Sequence, residues 1–172
     1  MIDFQLDNAT MAMVGVVGLF RQIQNIQKNR KHAHGASDLY SWQMHIEGCM
    51  GEYCTAKYLG LFWDGKLGDL SAGDIGKIET RTAGGATGFE KGDIHKRRLC
   101  LHKEDEDNSP FVHVTGVNGF YLIHGWLYGH EGKKDEYWQD PTGNDRKAFF
   151  VDNDKLRSMV SLKELVDNSL FK

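Results

Sequence analysis

The pair Asn118-Gly119 stands where two apolar, β-rich runs meet, Phe111 to Val117 and Gly119 to Gly129. Asn-Gly in that setting marks a tight hairpin, because both loop positions of such a turn take the left-handed backbone that Asn and Gly adopt at least cost. The second half of the chain is thereby committed to antiparallel pairing. The first half has a different period. Met13, Val16, Val17, Phe20 and Ile23 recur at three- and four-residue steps behind Asn8, a candidate N-cap, and predict a helix with these residues on one face, ending near Asn29. Leu39, Trp42, Ile46, Cys49, Tyr53 and Ala56 predict a second helix, capped by Ser37 or Asp38 and stopped at Gly60. Gly48 and Gly51 lie inside it, where glycine costs about 1 kcal/mol relative to Ala and is expected to allow close approach of a neighbouring element.

Further along come a short strand at Lys77 to Thr82, a glycine-rich loop at Ala83 to Gly92, and a β-rich run at Arg98 to His102. The acidic tract Glu104 to Asp107 separates that run from the hairpin, and a last strand at Ala148 to Val151 precedes short helices. The glycine-rich loop lacks the Lys-Ser/Thr ending of a phosphate loop. Two helices followed by mostly antiparallel strands make this an α/β chain of the α+β kind. A mixed, mostly antiparallel central sheet over about residues 74–129 is expected, flanked by helices.

A chain of 172 residues suits one domain. Its net charge of −3 is not that of a dedicated nucleic-acid coat, although a bound cation would offset carboxylates locally. Cys49, Cys54 and Cys100 are odd in number and follow no zinc spacing, and they read as small buried hydrophobes in a reducing compartment. The apolar run Met11 to Phe20 is short and follows Asp3 and Asp7 where a leader would carry basic residues. No run is long enough to span a bilayer, so a cytoplasmic protein is expected.

The chemistry concentrates at Asp74-Ile-Gly-Lys-Ile-Glu79-Thr-Arg81. Residues two apart on a strand share a face, so Glu79 and Arg81 project together, Lys77 joins them if the strand extends that far, and Asp74 stands at its mouth. Two converging carboxylates offer the hard oxygen ligands that Mg²⁺ or Mn²⁺ prefers. An adjacent basic group can stabilise charge in a transition state. On the second helix Glu52 lies about 60° from Cys49 and about 40° from Ala56 at roughly 100° per residue, the edge of the apolar stripe, whereas Glu47 reads as solvent-facing. His102 alternates with Cys100 and Arg98 and is a candidate neighbour of the site. The basic tract Asn29 to Gly35, with Arg30 and Lys31, is a candidate for phosphate contact, as is Lys77. No His-Glu-x-x-His and no Gly-x-Ser-x-Gly occurs, and the cysteines have no evident activated partner.

Glu52 on a helix, then Asp74, then Glu79-Thr-Arg81 on a strand resembles the PD-(D/E)XK nuclease superfamily, and more narrowly an uncharacterised phage and bacterial group within or near it. Gly51 to Gly60, Asp74 to Thr82, Phe111 to Gly116 and His124 to Gly129 carry the resemblance, chiefly through their order. It implies a restriction-endonuclease-like core, Mg²⁺ or Mn²⁺ bound by Asp74 and Glu79 with Glu52 as the helix carboxylate, and DNA phosphodiester hydrolysis by a metal-activated water. Two features depart from the pattern. Arg81 stands at the position of the usual lysine and stays protonated, so Lys77 or Lys103 is the candidate replacement. The gap from Asp74 to Glu79 is short and needs a tight connection, which Gly76 would help; Asp69 is the alternative acid. The competing expectation is an inactive relative that binds nucleic acid or a protein partner. Tyr121, Trp126 and Tyr128 on the hairpin are candidates for such an interface, or for a homodimer, if they are not packed in the core.

Overall fold

The Asn118-Gly119 loop forms as its chemistry dictates. The backbone angle φ is 53° at Asn118 and 86° at Gly119, and the loop joins β4 (Pro110–Val117) to β5 (Phe120–Tyr128) in antiparallel register. The structure is a computed structural model that describes residues 1–29, 40–67, 73–85, 94–141, 143, 145 and 147–168. Two further strands complete the central sheet. β1 (Ile2–Gln5) pairs antiparallel with β5, and β2 (Glu79–Ala83) pairs parallel with β4, giving the order β1-β5-β4-β2. β1 has only four residues ahead of the first helix, too few for a periodic signal, and the sequence reading does not include it. The sheet is mixed, with β1 at one edge and β2 at the other.

The run at Arg98 to His102 does not join this sheet. β3 (Leu99–Leu101) pairs with β7 (Ala148–Val151), and β7 pairs with β6 (Trp138–Gln139), forming a second, antiparallel sheet. Packing explains the choice. Leu99, Leu101, Phe149 and Val151 turn toward Phe111 and Leu127 of the central sheet and close a core between the two sheets. On β4 the alternation is clean. Phe111 faces that core, whereas Val112 and Val114 face the other one, beneath the helices.

The helical layer comprises α1 (Asn8–Gln27) and α2 (Ser41–Leu59), with α3 (Gly129–Gly132) and α4 (Met159–Asp167) later in the chain. Asp7, not Asn8, caps α1, its Oδ1 accepting from the Thr10 N–H at 2.7 Å. Of the apolar stripe expected to define α1, Val17 packs against the core and the other four residues are turned outward. Met13, Val16, Phe20 and Ile23 are exposed, and Val14, Gly18 and Gln22 are buried. Gly18 decides this, because a Cβ there would stand 2.6 Å from the Ile46 Cα, so only glycine lets α1 and α2 come this close. Polar groups then complete the inner face. Gln22 Nε2 donates to Ser41 Oγ at 3.0 Å and Asn25 bonds His45 at 2.9 Å.

α2 stops at Gly60, whose φ is 72°. Its expected start at Ser37 or Asp38 lies outside the described residues. Glu47, read as solvent-facing, is buried; Gln43 Nε2 donates to its Oε1 at 2.8 Å and the Gly85 N–H does so at 3.3 Å. The segment just past β2 folds over a helix position that periodicity alone leaves outside. The two internal glycines differ. A Cβ on Gly51 would fall 2.0 Å from Thr82 Oγ1 on β2, whereas Gly48 has open space around it. Gly51→Ala should therefore lower stability by about 1–3 kcal/mol through overpacking, and Gly48→Ala should raise it by up to about 1 kcal/mol through helix propensity. Urea denaturation of the two variants should show opposite signs.

Candidate functional site

The site is built around a second, smaller hairpin. Ile75 and Ile78 exchange two backbone hydrogen bonds of 3.0 Å, leaving Gly76-Lys77 as a two-residue loop. The first loop position needs positive φ, and Gly76 supplies it at 63°. This is the tight connection that the short Asp74–Glu79 gap demands. Asp74 and Glu79 are the next residues outward on the two arms. Both isoleucines point into the core beneath the helices, so alternation turns the two acids to the other side. The Asp74 Oδ2 atom accepts from the Thr80 N–H at 2.7 Å.

Helix α2 does not carry Glu52 into contact with these acids, but it holds Glu52 within electrostatic reach of both. Its side chain is almost wholly buried, with Oε1 and Oε2 accepting from Nη1 and Nη2 of Arg21 at 2.5 and 2.9 Å, and Oε2 also from Trp63 Nε1 at 3.1 Å. Arg21 Nε donates to the Lys66 carbonyl at 3.0 Å. Burial works against the Arg21 charge, but the Glu52 hydrogen bonds and charge outweigh it and hold the guanidinium above its ordinary range. Sequence reasoning missed Arg21. The available signal was that it is the only charged residue in twenty helical positions.

Arg81 closes the other side. Nη2 donates to Asp105 Oδ1 at 2.8 Å, Nη1 lies 3.5 Å from Glu79 Oε2, and the guanidinium rests 5.0 Å from the centre of the Phe111 ring. Asp105 Oδ2 in turn accepts from the His102 N–H at 2.9 Å, so the expected neighbour His102 joins the cluster through Asp105. Asp105 was missed, because the acidic tract that contains it carries no periodic signal. Lys77 does not share the Glu79 face. The strand begins at Glu79, and the loop carries Lys77 to an exposed tip. Lys103 is turned away too, its ammonium 4.5 Å from the centre of the Trp138 ring. Arg30, Lys31 and the alternative acid Asp69 lie outside the described residues.

The electrostatics follow from this crowding. Burial, then the charges of Glu52 and Glu79, push the Asp74 carboxyl up to about 7, against the Thr80 N–H and Arg81. The Glu79 carboxyl is also raised, by burial first, with Arg81 opposing and Asp105 and Glu52 adding to the rise. Four carboxylates thus face two guanidiniums, a deficit of positive charge that a divalent cation would relieve. Asp74 and Glu79 offer the hard oxygens such an ion takes. Glu52 already gives both oxygens to Arg21 and Trp63. Among the described residues no three His, Cys, Asp or Glu side chains gather as a ready metal cage. The fit is therefore to a two-carboxylate site in which water and phosphate complete the shell, the usual manner of Mg²⁺. An open cleft of about 700 Å³ adjoins the cluster, lined by Asp105, Asp107, Lys103, His130, Lys133 and Phe149 among others.

The remaining candidates read differently. Tyr121 and Trp126 are buried in the core, as the packing alternative anticipated, and Trp126 Nε1 donates to the Ser158 carbonyl and to Ser161 Oγ, both at 3.1 Å. Cys49 and Cys54 are buried free thiols pushed up to about 12, by burial above all, and Cys100 is raised to about 11 for the same reason. None is poised as a nucleophile. No helix among the described residues is long and apolar enough to cross a membrane. Comparison of the chain with protein-family models, curated proteins and solved structures finds no match.

Proposed function

We propose that this protein is a metal-dependent nuclease with a restriction-endonuclease-like core, hydrolysing DNA phosphodiester bonds. The observation that supports this reading best is the Gly76-Lys77 hairpin, which sets Asp74 and Glu79 side by side at the end of an edge strand with Glu52 within electrostatic reach. Asp74 and Glu79 would hold Mg²⁺ or Mn²⁺. The bound ion would supply a Lewis acid for the phosphodiester and lower the pKa of a coordinated water. The chain's own groups have distinct tasks. Arg81, always charged, serves as a clamp for phosphate charge and not as a base. The Glu52–Arg21 pair fixes α2 against α1 and sets the field at Asp74.

A second reading has its own support. Arg81 is already engaged by Asp105 and Glu79, and neither Lys77 nor Lys103 faces the acids. These features suit a nuclease-fold protein that binds nucleic acid or a protein partner without cutting. Incubation with plasmid and single-stranded DNA separates the two. The nuclease reading expects cutting with Mg²⁺ or Mn²⁺, none with EDTA, and none from Glu79→Ala. Retained DNA binding with identical DNA patterns from wild type and Glu79→Ala in either metal would transfer support to the second reading.

A further inference from the structure

Helix α1 is apolar on the side that faces away from its own protein. Met13, Val16, Leu19, Phe20, Ile23 and Ile26 are 37–55 % exposed, while the polar residues Arg21, Gln22 and Asn25 point inward to partners on α2. A helix that turns polar groups inward and a contiguous apolar stripe outward marks a surface for contact with another molecule. Met13, Val16, Phe20 and Ile23 follow the three-four-three spacing of a coiled-coil seam, a pattern that fits another helix and not a flat surface.

We propose that α1 is the interface of a two-fold homodimer, packing antiparallel against α1 of a second copy. This goes beyond the nuclease reading and does not depend on it. Three observations select a second copy as the occupant. The six half-exposed side chains leave on the order of 500 Å² of apolar surface, and a standard interface takes about 800 Å² from each partner, somewhat over half of it apolar. The exposed stripe carries no charge, since the one charged residue of α1, Arg21, is bound to Glu52 on the inner face. A neutral stripe of this kind is self-complementary, as an isologous contact requires. Within the helix no lysine or arginine borders the stripe along its length, as those of a bilayer-bound amphipathic helix do; the basic residues Lys28, Arg30 and Lys31 come after its last residue, Gln27. In the antiparallel pair Met13 meets Ile23 of the second copy, and Val16 meets Phe20.

Sedimentation velocity over a concentration series tests this, with Phe20→Glu and, separately, Met13→Glu. Both positions are exposed, so the variants should keep the wild-type circular dichroism spectrum, and their melts should lose the concentration dependence that dimerisation gives the wild type. The wild type should be a dimer, and each variant should weaken association by about tenfold or more, as removal of a central apolar anchor does. A Met13→Cys/Ile23→Cys double variant should form a covalent dimer on oxidation, and either single variant should form far less. A wild type that stays monomeric to its solubility limit would overturn the proposal. So would a dimer that survives both glutamates, or monomers that bind phosphatidylserine vesicles through this face.

Discussion

Arg21→Met is expected to cost about 3–5 kcal/mol of folding stability in urea denaturation at pH 7, the range for removing one partner of a buried ion pair. Only 14 % of the Arg21 side chain and 6 % of that of Glu52 are exposed. Methionine keeps much of the arginine's apolar stem, so little of the loss should come from packing. The loss should come from Glu52, left ionised in a buried place with only the Trp63 N–H to satisfy it. Adding Glu52→Gln to the same chain should recover most of the stability, because the uncompensated charge is gone. A single variant that loses less than about 1 kcal/mol would mean that water reaches the pair and that it behaves like a surface salt bridge.

Asp74→Asn should have the opposite sign. With Asp74 raised to about 7 from its ordinary 3.8, the folded state holds the proton more tightly than the unfolded chain. Its contribution is fully present below pH ~4 and is lost as pH rises through about 7. At pH 8 in EDTA the variant should therefore be more stable than wild type, by on the order of 2 kcal/mol, because a neutral amide replaces a buried carboxylate crowded by Glu52 and Glu79. The amide oxygen can still accept from Thr80. Added Mg²⁺ should raise the wild-type melting temperature and leave Asp74→Asn nearly unmoved, since a ligand stabilises only the state that binds it. A variant less stable than wild type at pH 8 would show that the carboxylate is well solvated and that the site has no deficit of positive charge.

His113 pulls the pH profile the other way. Its Nδ1 bonds Asn153 Oδ1 at 2.7 Å, its Nε2 is buried without a hydrogen-bond partner, and its ring stacks on His124 at 5.0 Å. Burial pushes it down to about 3, despite the Asn153 bond. A depressed histidine contributes stability above pH ~6.5 that is lost as pH falls toward about 3. Between pH 4 and 6.5 the two groups partly cancel in wild type. The Asp74→Asn variant should then lose stability on acidification more steeply than wild type, which a pH series of thermal melts will show.

Local chemistry was legible in the residues themselves. The Asn118-Gly119 hairpin, the Gly60 helix stop and the need for Gly76 between Asp74 and Glu79 each depend on backbone angles. Nearest neighbours in the chain determine such features. Glu52 was placed at the edge of a buried stripe by angle alone, and it is buried.

Contacts across long sequence distance were not legible. The outward turn of Met13, Val16, Phe20 and Ile23 came from one close helix contact at Gly18 and from polar partners on α2, neither of which periodicity weighs. Glu47 was buried by the segment just past β2, and β3 pairs with β7 and packs its leucines on the face of the central sheet, where its sequence would equally have suited a strand within that sheet. The site divides in the same way. The acids at 74 and 79 stand five positions apart, so a hairpin joins them, and their pairing could be read from the chain. That Arg21, Trp63 and Asp105 complete the charge balance was decided only when α1, α2 and the segment after β3 packed together. An ion pair has no period and no local signature, and its geometry exists only once distant backbone has been brought within a few ångströms.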